Sequence, residues 1–113
     1  MLDYADAAAE GAVVDPRRPR RKVIGIDVDI RRHNREAIEA HPFATAIVMI
    51  QGSSTDSAAL EKVRQEMRGF ERVMVFLDSN HTHEHVLAEL QAYAPMVSVD
   101  SYCVVMDTVI EYL

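Results

Sequence analysis

Apolar residues in this chain gather in four short blocks instead of alternating with polar ones. Val-Ile-Gly-Ile lies within Lys22–Val28, Ala-Ile-Val-Met-Ile within Thr45–Gln51, Val-Met-Val-Phe-Leu within Glu71–Leu77 and Cys-Val-Val-Met within Ser101–Met106. Consecutive, β-branched-rich runs of this length belong to strands covered on both faces, as in parallel sheets. A helical period fills the intervals. His33–His41 is short and stops before Pro42, because the residue preceding a proline disfavours helix. Asp56–Arg68 puts Ala59, Leu60, Val63 and Met67 on one stripe, and Thr82–Tyr93 does the same with Val86, Leu87, Leu90 and Tyr93. Strand–helix–strand alternation at this spacing predicts an α/β fold: a Rossmann-like parallel sheet of about four strands, flanked by helices and joined by right-handed crossovers.

Ahead of the first block the pattern changes. Met1–Gly11 is alanine-rich and predicts a helix with Gly11 as its stop, and Asp15–Lys22 predicts a polar loop. The expected organisation is one partial domain over 1–113, with helix and polar loop at 1–21 and the sheet core at 22–110. The last strand has no returning helix before Leu113, so the fold is expected to lack pieces at both ends.

Length and composition narrow the options. A chain of 113 residues has room for one small domain, and 49% hydrophobic with 27% charged residues is globular composition. No apolar run approaches the roughly 20 residues of a membrane span. The start carries acids where a secretory signal carries basic residues. Cys103 is the only cysteine, which rules out an internal disulfide and multi-thiolate zinc sites and makes a reduced, cytoplasmic setting the expectation. A formal net charge of -6 argues against nucleic-acid binding. The basic run Arg17–Lys22 has no interleaved aromatics and reads as a solvated loop.

In an open parallel sheet, ligands bind beyond the carboxyl ends of the strands. The four ends here are Gly25-Ile-Asp27-Val-Asp29, Gly52-Ser-Ser-Thr55, Asp78-Ser-Asn-His81 and Asp107-Thr108. One acid after a strand is usually a turn or cap residue; polar exits from every strand point to a cleft. Asp27 can accept hydrogen bonds from the two hydroxyls of a ribose. Gly52 permits close approach of a flat ring, and Ser53 and Ser54 supply hydroxyls. Asp78 and Asp107 suit either a hard divalent cation such as Mg²⁺ or a pair of helix N-caps. His81-Thr-His83-Glu-His85 does not make a zinc site, since alternate residues of a helix point apart. His81, in the exit loop, is the candidate for acid–base work, with His83 and His85 as first-turn surface or packing residues.

Four segments, 23–31, 50–56, 77–90 and 101–108, resemble in order the cephalosporin hydroxylase / rhamnosyl O-methyltransferase family. The block Leu-Asp-Ser-Asn-His-Thr-His-Glu-His-Val-Leu-Ala-Glu-Leu (77–90) is the most specific of them. The resemblance implies a class I methyltransferase that binds S-adenosylmethionine on a Rossmann-like sheet and methylates hydroxyls of sugars or natural products, often with a divalent metal. It puts Asp27 at the cofactor ribose, Gly52 and Ser53 near the adenine, Asp78 and Asp107 at the Mg²⁺, and His81 at the catalytic base. The implied partner is a small-molecule hydroxyl acceptor. Met106 stands where the family tends to have a glutamate, and the family's glycine-rich loop and first strand have no counterpart in these residues. That strand would lie between 22–28 and 71–77. Without it the two strands either pair directly or leave edges with unpaired backbone groups, and such edges make self-association an expectation.

Two other classes fit part of the pattern. A methyltransferase remnant or interaction fragment would keep the fold and lose the activity. A receiver-like phospho-acceptor domain would need a lysine at a strand's carboxyl end, and the lysines present, Lys22 and Lys62, are not so placed.

Overall fold

The computed structural model describes residues 20–80 and 82–106. Neither the helix expected over Met1–Gly11 nor most of the loop that follows it is among them. The chain divides into two compact units, residues 1–52 and 53–113.

The first unit is a strand–helix–strand element. Strand β1 (Val23–Asp27) leads to helix α1 (Arg32–Glu39), a 3₁₀ turn over Ala44–Ala46, and strand β2 (Ile47–Gln51). The strands run parallel in register, with Val23 opposite Ile47 and Asp27 opposite Gln51. Ala46 and Ile50 are the unit's buried apolar positions. β1 is exposed at Val23, Gly25 and Asp27 and half-buried at Ile24 and Ile26. A run that reads as doubly covered is therefore covered on one face only. Helix α1 closes at Ala40, whose N–H bonds the Glu36 carbonyl, two residues before Pro42. It buries none of its residues.

The second unit begins with helix α2 (Ser57–Met67). Strand β3 (Val75–Leu77), helix α3 (His83–Tyr93), a 3₁₀ turn over Ala94–Met96 and strand β4 (Cys103–Val105) follow. β3 and β4 are parallel, Val75 opposite Cys103 and Leu77 opposite Val105. The ladder runs one bond further at each end, from Val75 N–H to the Tyr102 carbonyl and from Met106 N–H to the Leu77 carbonyl. α3 packs on β3. Ala59 and Val63 of α2, Leu77 of β3 and Tyr93 of α3 are buried. Cys103 is half-buried in β4.

Strand positions, helix positions and parallel direction follow the pattern of apolar blocks. The sheet is different: the described residues form two two-stranded parallel sheets, and a single sheet of four strands is not formed among them. Among the described residues each strand pairs with a strand along one edge only, since continuing a sheet requires a further strand seated on the other edge. The same lack of cover shows on the faces. Phe76, opposite Val104 in register, is 59% exposed, and Tyr102 is 71% exposed. No helix among the described residues is long and apolar enough to cross a membrane.

Adjacent residues of β3 point to opposite faces, and their replacement separates the two environments. Leu77→Ala, at a position 6% exposed, is expected to cost about 2–5 kcal/mol in urea unfolding. Phe76→Ala is expected to cost a small fraction of that, because its side chain already meets solvent.

Candidate functional site

The exit from β1 is a tight polar turn. Asp27 ends the strand, and its Oδ1 accepts the Asp29 N–H at 3.0 Å, an Asx-type turn that fixes the carboxylate. Nothing among the described residues bonds its second oxygen. Across the ladder, Gly52 N–H donates to the Asp27 carbonyl at 2.9 Å, so the acid and the glycine stand together at the carboxyl end of this sheet. Gly52 has φ +150°, and a Cβ built there meets nothing within 4 Å. The glycine thus answers a backbone requirement and leaves open space above it. An open depression of about 440 Å³ in the same unit is lined by Gly25, Asp27, Asn34, Ile38, Ile47 and Met49. Its volume lies within the roughly 300–1,000 Å³ of small-molecule pockets, and two acids at the exit of β1, Asp27 and Asp29, line it.

In the second unit, Ser53 Oγ lies 3.1 Å from Thr55 Oγ1, and the Ser53 carbonyl accepts the Asp56 N–H at 3.1 Å. Asp78 follows β3 directly and is exposed. It does not cap α3: the N-cap is Thr82, whose N–H is held by Asn80 Oδ1 at 3.0 Å. Of the two N-caps considered for the strand-end acids, the one at Asp78 is therefore excluded. His81 and Asp107 lie outside the described residues. Among those described, no group of three His, Cys, Asp or Glu side chains converges as a metal site.

The most organised polar cluster is one that apolar periodicity does not reveal. Helix α3 was expected to bury Val86, Leu87, Leu90 and Tyr93, yet Leu87 is 45% exposed while Glu89 is only 4% exposed. The inward stripe contains His85, Glu89 and Tyr93, spaced four residues apart and so stacked on one helix face. His85 Nε2 is 2.6 Å from Glu89 Oε1 and 3.4 Å from Ser54 Oγ. Ser79 Oγ donates to the same Glu89 oxygen, and the Tyr93 hydroxyl donates to the Ser54 carbonyl. The one sequence signal for this cluster is the four-residue spacing of a histidine and a glutamate, which an ordinary surface pair shares.

Burial pushes the Tyr93 hydroxyl above its ordinary pKa of 10.0; the charge of Glu89 adds to that, and Arg64 opposes it. Above pH 10 but below the raised folded value, the native chain keeps a proton that the unfolded chain has lost. This contribution to stability is therefore complete below pH 10 and disappears as pH rises through that window. Tyr93→Phe is expected to flatten the alkaline decline in urea midpoint between pH 9 and 12. At neutral pH it should cost about 1 kcal/mol for the lost hydrogen bond.

The comparisons with known proteins agree with the family resemblance seen in the sequence. Rhamnosyl O-methyltransferases of Mycobacterium tuberculosis (strain ATCC 25618 / H37Rv) and Mycobacterium bovis (strain BCG / Pasteur 1173P2) are each 34% identical to this chain over 63 residues. The aligned part is 55% of this chain and 26% of theirs, so the chain spans about a quarter of the length of these curated relatives. No solved structure matches it. The family model described as rhamnosyl O-methyltransferase/CmcI matches residues 6–113, and the chain belongs to that family.

Proposed function

We propose that these residues form part of an S-adenosylmethionine-dependent O-methyltransferase acting on a hydroxyl of a sugar or other small molecule. The observation that carries the reading is the paired exit of the first unit. Asp27 presents a carboxylate oxygen that nothing among the described residues bonds, beside Gly52 at the carboxyl end of a parallel ladder. That is where a nucleotide-binding sheet holds a ribose. Membership of the family supports the same assignment. A cytoplasmic setting, in which Cys103 stays reduced, goes with it.

The residues fit the cofactor's nucleoside in two respects. Asp27 offers an acceptor oxygen to ribose hydroxyls, and Gly52, with no side chain and open space where one would project, admits the adenine ring; Ser53 is the next residue along the chain and is proposed as a cofactor contact on the family resemblance. The cofactor, when bound, supplies an electrophilic methyl group. His81 is the proposed base: positioned after β3, it would take the proton of the acceptor hydroxyl as that oxygen attacks. The fit to Mg²⁺ is poorer. Asp78 is a single exposed carboxylate, and Asp107, the proposed second ligand, lies outside the described residues; no step is assigned to a metal.

Cofactor affinity of this polypeptide alone is expected to be weak, because its residues include no glycine-rich turn to close over the methionine portion. Titration calorimetry with S-adenosylmethionine and S-adenosylhomocysteine, with and without Mg²⁺, tests both parts. The expected result is binding weaker than micromolar that falls about 10- to 100-fold in Asp27→Ala, the loss of a hydrogen bond to a charged acceptor. Binding indifferent to Asp27, or none at millimolar ligand by a folded chain, would overturn the assignment of this site. Micromolar affinity would overturn the expected weakness.

A further inference from the structure

The buried cluster on α3 contains none of the residues assigned above to the cofactor, the metal or the base. Glu89 occupies a core position of the helix, and a carboxylate there is costly unless its oxygens are satisfied. Its partners come from its own helix and from a loop: His85 Nε2 at 2.6 Å and the Ser79 hydroxyl from the exit of β3. His85 Nε2 also lies 3.4 Å from Ser54 Oγ, in the loop that follows β2. Tyr93 holds that loop a second time, through the Ser54 carbonyl. A polar line along one helix face therefore grips two strand-exit loops. Replacing a buried polar network with apolar residues of similar size is often neutral or stabilising, so stability alone does not account for this arrangement.

We propose that His85 and Glu89 are positioning residues that lock the loop at 53–55 and the loop at 78–80 to α3, fixing Ser53 and Asp78 in place. Ser53 is one residue from the gripped Ser54, and Asp78 is one residue from the gripped Ser79. The roles given to Ser53 and Asp78 rest on the function proposed above; the mechanical link between the loops does not. Among the described residues the side-chain contacts that join Ser79 to Ser54 run along α3: Ser79 to Glu89, Glu89 to His85 and His85 to Ser54, with Tyr93 as a second hold on Ser54.

Backbone NMR of the whole chain tests the link without any ligand. Ser79→Ala removes one hydroxyl from the far loop, and it is expected to shift and broaden the amide signals of Ser54, Thr55 and Asp56 as well as those of Ser79 and Asn80. Glu89→Leu is expected to do the same more strongly and to lower the urea midpoint, because His85 and Ser79 both lose their partner, while the chain stays folded. A response confined to 78–80 in both variants would overturn the proposal. So would a Glu89→Leu chain whose midpoint and loop signals collapse together while Ser79→Ala leaves 54–56 unmoved, since that pattern marks a merely structural residue. Titration with S-adenosylhomocysteine supplies the second arm, with Ser79→Ala expected to weaken binding about 10- to 100-fold through misplacement of the loops. If the unaltered chain binds no S-adenosylhomocysteine, the functional reading fails and the loop signals still decide the link.

Discussion

Parallel pairing governs this molecule. Two parallel strands cannot be closed by a tight turn, so the chain must travel back along the sheet before the second strand can bond to the first. Both units meet that demand, with α1 between β1 and β2 and with α3 between β3 and β4. Within each unit the same geometry sends both strands out at the same end. Asp27 meets Gly52 for this reason, and Asp78 follows Leu77 beside the last bonded amide of β4 for the same reason. In each unit by itself, the polar exit residues are collected by strand direction before any side-chain contact is made.

How each exit is then fixed differs between the units. In the first, backbone does most of the holding: an Asx-type turn at Asp27 and one amide from Gly52. In the second, side chains of the crossover helix hold the loops, through a buried carboxylate, an imidazole and a phenol. A backbone turn depends on a few residues of suitable conformation. A buried polar line depends on every member being satisfied, because in a low-dielectric interior each unmade bond is expensive.

Much of the fold was legible because its signals are local. Apolar blocks located all four strands, Pro42 marked the end of α1, and Ala59 and Val63 identified the buried face of α2. Sheet continuity was legible only as two alternatives, direct pairing of 22–28 with 71–77 or open edges between them, since edge pairing depends on what lies alongside a strand and not on the strand's own residues. Val23 and Phe76 have the composition of doubly covered positions yet face solvent. In the site, Asp27 and Gly52 were legible as strand ends, whereas Glu89 was not. Hydrophobic periodicity assigns a glutamate to the outside of a helix, and only the partners offered by Ser79 and His85 make an inside position tolerable. His85, expected as a first-turn surface or packing residue, is half-buried and packs against Glu89.

The single cysteine acquires a practical meaning from the division into two units. Cys103 is half-buried in β4, within a strand whose only described partner is β3. Partial burial slows alkylation of its thiol and opening or fraying of that pair speeds it, so the reaction rate with a small reagent responds to the breathing of the second unit. With no other thiol in the chain, the first unit is silent in such a measurement. The sequence thus carries its own one-sided probe, able to time the opening of one ladder without a label having to be introduced.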